Sequence, residues 1–445
     1  MKILFISLGC DKNLADSEEM LGLLTGSGHE IVDSEEEADA IVVNTCCFIH
    51  DAKEESVNTI LEMAEYKTSG SCKVLIVTGC MAQRYKEEII QEIPEVDAVL
   101  GTTSYGDIVK ALNEAQAGNV FQEFRDINDL PEDSGRRIIT TGGHFGYLKI
   151  AEGCDKHCTY CINPSLRGKF RSVPEERLLK QAEYMASQGV KELILVAQET
   201  TVYGTDLYGK KTLHILLKKL CQIKGIRWIR ILYCYPEEIY DELIQVMKEE
   251  KKICHYLDLP IQHASDRILR RMGRRTSKAQ LVDIITKLRR EIPDIVLRTS
   301  LITGFPGETE EDHQELMEFV DEMEFDRLGV FTYSPEEGTP AETMEGQVPE
   351  ELKEERRDEI MELQQEISLE KGDSRIGQEL LVMIEGKVSG ESAYIGRTYG
   401  DAPKVDGYIF VQTGELLVTG DFAKVKVTGA LEYDLIGELA DEYTE

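Results

Sequence analysis

The sequence contains no run of about eighteen or more apolar residues, which excludes a membrane-spanning helix of ordinary length. Its opening, Met1-Lys2-Ile3-Leu4-Phe5-Ile6-Ser7, is too short for a secretion signal and reads as a first strand. A cytoplasmic protein with no membrane partner is expected. Basic residues are scarce: 50 Lys and Arg stand against 83 Asp and Glu, a net charge of −33. Phosphate neutralisation takes clustered Lys and Arg, so no broad nucleic-acid binding is expected. The same field suits a basic protein partner, although acidity also serves solubility alone. At 445 residues and 42% hydrophobic, the chain has material for two or three cored domains.

What is present is a regular order of strand and helix patterns. Over residues 1–125, apolar runs at Ile3–Ser7, Ala40–Asn44, Lys73–Thr78 and Val96–Leu100 alternate with helical patterns at Asp16–Leu24, Val57–Tyr66 and Arg84–Gln91. That alternation predicts an open parallel α/β sheet. A polar connector follows, broken by Pro131, Gly135 and Gly142-Gly143. Residues 140–371 repeat strand then helix about six times, from Tyr147–Ala151 to Leu328–Tyr333, and close with a charged helix expected to stop at Gly372. Six units are too many for a small wound sheet and too few for an eight-fold barrel. A partial (β/α) barrel is expected, with site residues just after its strands. Residues 372–441 hold five short strands parted by turns such as Asp406-Gly407, the pattern of a small OB-like β-barrel.

Six of the 11 cysteines form two trios. Cys154-x3-Cys158-x2-Cys161 follows the first barrel strand. Three thiolates so spaced can hold three irons of a cubic cluster, and the missing fourth ligand leaves one iron open to a small molecule. Zinc would want a fourth ligand, and His157 adjoins Cys158 too closely to supply it. Cys10, Cys46 and Cys80 each end an apolar strand, about 35 residues apart. In a parallel sheet those ends share the carboxyl edge, where ligands bind, so metal binding is expected there too. Cys47 competes with Cys46, since neighbours on an extended chain face opposite ways. Zinc with His50 is the alternative. Cys72, Cys221, Cys234 and Cys254 have no partners at ligand spacing and read as structural.

With Tyr160 as its aromatic, the tight trio resembles the radical S-adenosylmethionine (SAM) superfamily. The whole chain resembles the methylthiotransferases of that superfamily. The resemblance implies two 4Fe-4S clusters, on Cys154, Cys158 and Cys161 and on Cys10, Cys46 and Cys80, which selects Cys46 over Cys47. It implies SAM as cofactor, an electron donor as partner, and a C-terminal TRAM-like barrel. It also implies SAM contacts: Glu199, after the second strand, holding the amino group, with Gly304 in Gly304-Phe305-Pro306-Gly307-Glu308-Thr309 letting backbone approach the adenine. Thr309 and Asp312 read independently as a helix capping box. Gln262 and His263 stand where they can line the cavity, His263 equally as a satisfied loop histidine. Asn163 departs from the family, which has an apolar residue there; a polar amide beside a cluster needs a partner.

Within the family, Leu8-Gly9-Cys10-Asp11-Lys12-Asn13 is similar to the branch that adds a methylthio group to the β-carbon of an aspartate in ribosomal protein S-12. A transfer-RNA adenosine methylthiotransferase is the alternative, and a non-catalytic iron–sulfur carrier or redox sensor is the alternative of another class. From Gly372 onward 14 acidic residues face 6 basic ones, so the terminal barrel lacks the basic surplus of an RNA grip. Its aromatics Tyr394, Tyr399, Tyr408 and Phe410 read as core.

Overall fold

The computed structural model describes residues 1–132 and 135–440. The connector residues 133–134 and the expected end of the last domain at 441 lie outside the described residues. Strands β1 (Lys2–Ser7), β2 (Glu30–Val32), β3 (Ala40–Thr45), β4 (Val74–Gly79), β5 (Ala98–Leu100) and β6 (Phe121–Glu123) form one parallel sheet in the order β2-β1-β3-β4-β5-β6. β3 and β4 are apolar on both faces because helices cover both. Ile41, Val43, Leu75 and Val77 enter one core, and Ala40, Val42, Val74 and Ile76 the other. The three-residue edge strands β2 and β6 are too short to stand out in the sequence. The single helix expected over Arg84–Gln91 is two, Cys80–Tyr85 and Glu87–Glu92, parted where Lys86 takes φ 45°.

The central domain holds β7 (Phe145–Lys149), β8 (Ala151–Glu152), β9 (Arg171–Ser172), β10 (Glu192–Val196), β11 (Trp228–Ile231), β12 (Ile253–Asp258), β13 (Val296–Thr303) and β14 (Arg327–Thr332). Six of these run parallel in the spatial order β14-β13-β12-β11-β10-β7, an open partial barrel, while β8 and β9 pair as a small antiparallel ladder. Side chains alternate between faces. Leu148, Leu193, Leu195, Ile229, Ile231, Leu257 and Leu297 pack against the surrounding helices. Tyr147, Ile194, Val196, Trp228, Tyr256 and Val296 form the other face.

That second face is covered by the C-terminal domain. Strands β15 (Glu379–Lys387), β16 (Ala393–Thr398), β17 (Ile409–Gln412), β18 (Phe422–Ala430) and β19 (Leu435–Leu439) close into a barrel. Its Met383, Ala402 and Phe422 join the cluster on the inner face of the partial barrel, and Trp228 meets Phe422 edge-on at 4.8 Å. Tyr394 is core, as expected, whereas Tyr399 packs toward the central domain. The linking helix does not stop at Lys371 but runs Glu350–Asp373. Gly372 serves close packing instead, because a β-carbon there would lie 2.9 Å from that of Ala430. Among the described residues no helix is long and apolar enough to cross a membrane.

The domain junction also buries charge. Glu192 of β10 accepts from Arg230 Nε at 2.8 Å and from Arg397 Nη2 at 2.7 Å, and all three side chains are 0% exposed. Arg397 Nε continues to Glu385 at 2.6 Å. Burial pushes the Glu192 carboxyl up, but the two guanidiniums outweigh it and hold it below the usual range. Glu192→Gln leaves two buried cations without their shared counter-charge. It is expected to cost about 3–5 kcal/mol, read as a lower urea midpoint by circular dichroism.

Candidate active site

Register brings the first trio together. Ser7 pairs with Asn44, and Thr45 with Gly79, so β1, β3 and β4 end level and Cys10, Cys46 and Cys80 follow on one edge. Gly9 has φ +84°, and a β-carbon there would lie 2.6 Å from that of Cys46; the chain can pass over Cys46 only without a side chain. Asn13 Nδ2 donates to the carbonyls of Leu8 (2.7 Å) and Thr45 (3.2 Å), tying two of the three loops. Ser56 Oγ holds the Cys46 backbone on both sides, at 3.0 and 2.8 Å. Burial, then the neighbouring Cys80 and Cys10, pushes the Cys46 thiol up to about 12. Cys47 is fully buried in the apolar core, where burial and then the neighbouring Cys80 push its thiol up. His50 is exposed at the start of the next helix.

The second trio lies on the loop between β8 and β9. Gly153 (φ +73°) permits the tight entry, and Cys154 N donates to Gly168 O at 3.0 Å. Thr159 anchors the loop centre, donating from N to Met272 O at 2.9 Å and from Oγ1 to Arg271 O at 2.8 Å. Tyr160 packs edge-on to Phe305, and the Tyr235 hydroxyl lies 3.8 Å from Cys158 Sγ. Burial pushes the Cys154 thiol up to about 11 and that of Cys161 to about 12. Buried thiols of this kind ionise only when a metal supplies the positive charge, which is the donor chemistry an iron cluster requires. Among the described residues no three His, Cys, Asp or Glu side chains close around one ion. A cubic cluster instead gives each thiolate its own iron and keeps the sulfurs apart.

The remaining expectations fare differently. Glu199, 1% exposed, accepts from Thr201 N at 3.0 Å through Oε1, while Oε2 is buried without a partner. Burial pushes its carboxyl up to about 7, and its charge reaches Cys154. At Gly304 (φ +68°) a β-carbon would lie 2.1 Å from Lys353 Cγ, so its small size also makes room for the linking helix. Gln262 is stitched beside β13 by backbone bonds to Ser300 and Ile302. His263 Nδ1 accepts from Ala264 N and Ser265 N, and its buried Nε2 lies 3.5 Å from Glu308 Oε2. The capping box of Thr309 and Asp312 forms. Asn163 opens the helix Asn163–Arg167, and its amide finds its partner in Cys161.

Sequence reading missed what joins the trios. After Cys161, Ile162 and Leu166 leave the central domain and bury in the N-terminal core. From the same helix Arg167, 3% exposed, donates to Asp16 Oδ2 (2.8 Å), Asn13 Oδ1 (3.1 Å) and Cys80 Sγ (3.4 Å). Lys149 Nζ bridges Asp16 and Glu152 beside it. Asp16 and Arg167 are far apart in sequence, and no local pattern announces the pair.

A parallel partial barrel with a three-cysteine loop after its first strand is the architecture of a radical SAM enzyme. Residues 148–320 match the radical SAM superfamily, 2–101 an uncharacterized protein family (UPF0004) and 376–440 the TRAM domain. The fold resembles the radical SAM methyltransferase TsrM from Kitasatospora setae, solved with cobalamin and a 4Fe-4S cluster, at TM-score 0.55 and 12% identity over 94% of this chain and 83% of that one. The cobalamin-dependent radical SAM enzyme OxsB gives TM-score 0.51 and 15% identity over 81% of this chain and 56% of that one. Along the full length the relatives are nearer. A ribosomal protein uS12 methylthiotransferase RimO of Lachnoclostridium phytofermentans is 65% identical over 98% of this chain and 99% of that one. Another, of Clostridium perfringens, is 52% identical over 99% and 98%. The chain belongs to this RimO family of radical SAM methylthiotransferases.

Arg167→Met keeps much of the side chain's length but leaves Asp16 with Lys149 alone and Asn13 without its donor. It is expected to cost about 3–5 kcal/mol, measured by denaturant unfolding.

Proposed function

We propose that the protein places a methylthio group on the β-carbon of an aspartate in ribosomal protein S12, using SAM both as methyl donor and as radical source. The observation that carries this reading is the junction of the two trios: the helix that follows Cys161 lies in the N-terminal core and presents Arg167 to Cys80. Full-length identity to relatives named for uS12 supports the choice of substrate. So does the acidic charge, since a ribosomal protein is a basic partner.

On this reading Cys154, Cys158 and Cys161 hold three irons of one 4Fe-4S cluster, and Cys10, Cys46 and Cys80 hold three of a second. When bound, the first cluster with SAM supplies the radical that takes a hydrogen atom from the substrate carbon, and the second carries the sulfur and methyl that replace it. The chain's own residues supply position and exclusion. The anchored loop at Thr159 keeps the first trio out of water, and Arg167 steadies the Cys80 corner of the second. Glu199 Oε2, buried without a partner, receives the SAM amino group. Residues 1–125, 140–371 and 372–441 divide this work as second-cluster, radical and TRAM domains. An electron donor is a required partner, and a cytoplasmic location beside the ribosome belongs to the same reading.

The test is anaerobic reconstitution with SAM and a strong reductant, offering S12 and transfer RNA together, followed by mass spectrometry. A methylthio mass gain on S12 is expected. The same gain on transfer RNA overturns the substrate, and absence of 5′-deoxyadenosine overturns the chemistry. Cys154→Ala is expected to abolish 5′-deoxyadenosine. Cys10→Ala is expected to leave it forming while the methylthio product is lost.

SAM binding is expected to tighten as pH rises through about 7, where the buried Glu199 carboxyl ionises and can pair with a cationic amino group. Below that pH it is neutral and accepts less strongly. Calorimetric titration across this range is expected to show the dependence in the native protein and its loss in Glu199→Gln.

A further inference from the structure

Lys12, near the first trio, is a buried cation to which the reaction so far gives no role. It stands two positions after Cys10, in the first turn of the helix Asp11–Gly26, and is 7% exposed. Among the described residues no carboxylate forms an ion pair with its ammonium. Instead Nζ lies 3.3 Å from the centre of the Tyr233 ring. Burial pushes the adjacent Asp11 carboxyl up; Lys12 opposes this through space, and the hydroxyls of Tyr147 and Tyr233 engage the carboxyl. The position is unfavourable for a cation on two counts: the positive end of a helix repels it, and burial strips its hydration. An aromatic face offsets part of that cost. An anion arriving beside it would offset more.

The support beneath Lys12 is itself strained. Tyr233 adopts φ +59°, a left-handed backbone that an aromatic residue rarely takes. It is held there by Thr200, which donates from N and Oγ1 to Tyr233 O at 3.1 and 3.0 Å, and by Asp258 Oδ2, which accepts from Tyr233 N at 3.0 Å. Two residues on, Tyr235 meets Cys158. One short loop after β11 thus carries Lys12 on Tyr233 and touches the radical-forming trio through Tyr235, with Cys10 beside Lys12 on an exposed edge.

We propose that Lys12 binds the side-chain carboxylate of the protein substrate and so fixes the adjoining carbon between the two trios. This rests on the protein-substrate reading above. The carboxylate is one bond from the β-carbon that reacts, so an ion pair at Lys12 leaves that carbon little freedom. It also sets specificity, because a neutral base or amide leaves the buried ammonium without its counter-charge.

The test compares binding of the reconstituted full chain to S12 and to S12 with asparagine at the modified aspartate. The native protein is expected to bind the aspartate form about tenfold or more tighter. Lys12→Met is expected to lose that preference by weakening the aspartate form alone, and Lys12→Arg to retain most of it. Lys12→Gln is a second neutral variant should Lys12→Met fail to fold, and it is expected to bind both forms alike. Equal weakening of both forms, or a preference that survives in the neutral variants, overturns the proposal by showing a scaffold role over Tyr233. If the native protein neither binds nor modifies S12, it is the substrate reading that fails.

Discussion

The buried guanidinium of Arg167 is the interaction on which the arrangement of the molecule depends. It holds Asp16 and Asn13 from the N-terminal domain and touches Cys80, while its own helix begins two residues after Cys161. A cation at 3% exposure is tolerable only with its partners in place. The two domains are therefore not free to drift apart at this point. Lys149 and Glu152 extend the same buried charge into the first barrel strand and the hairpin that frames Cys154. The two trios are joined through buried side chains rather than through a flexible linker.

A second buried charge centre does the same for the C-terminal barrel. Glu192, Arg230, Arg397 and Glu385 run from the second barrel strand of the central domain into the terminal domain, alongside Trp228 and Phe422. The terminal domain is thereby a lid on the inner face of an incomplete barrel. It brings a further side chain near the site: Lys404, on a loop of that domain, lies close enough to influence Asp11. A small barrel that might have been a separate grip is instead a wall of the central domain.

Much of this was legible in the chain because it is written locally. Apolar runs of five or six residues announce buried parallel strands, and cysteines that directly follow such runs must share an edge once the sheet is parallel. The capping box at Thr309 and Asp312 is likewise a contact between near neighbours. Readings failed where a residue's role depends on something distant. Gly372 looks like a helix stop but lies within the helix and sits against Ala430. A glycine reports only that space is short or that φ is positive; it does not report what occupies the space.

The amino-acid sequence by itself determined the order of strands and helices, the two sets of three thiols and the family to which the chain belongs. Those properties rest on periodicity, spacing and residue identity, which survive without three dimensions. Only the tertiary structure decided that the chain at Gly9 passes over Cys46, and that Arg167 reaches from the helix after Cys161 to Cys80. It alone placed the buried ammonium of Lys12 over the Tyr233 ring. The reason is physical. Direction of a side chain, loss of hydration and pairing of charge are properties of the packed neighbourhood, and the neighbours come from segments far apart along the chain.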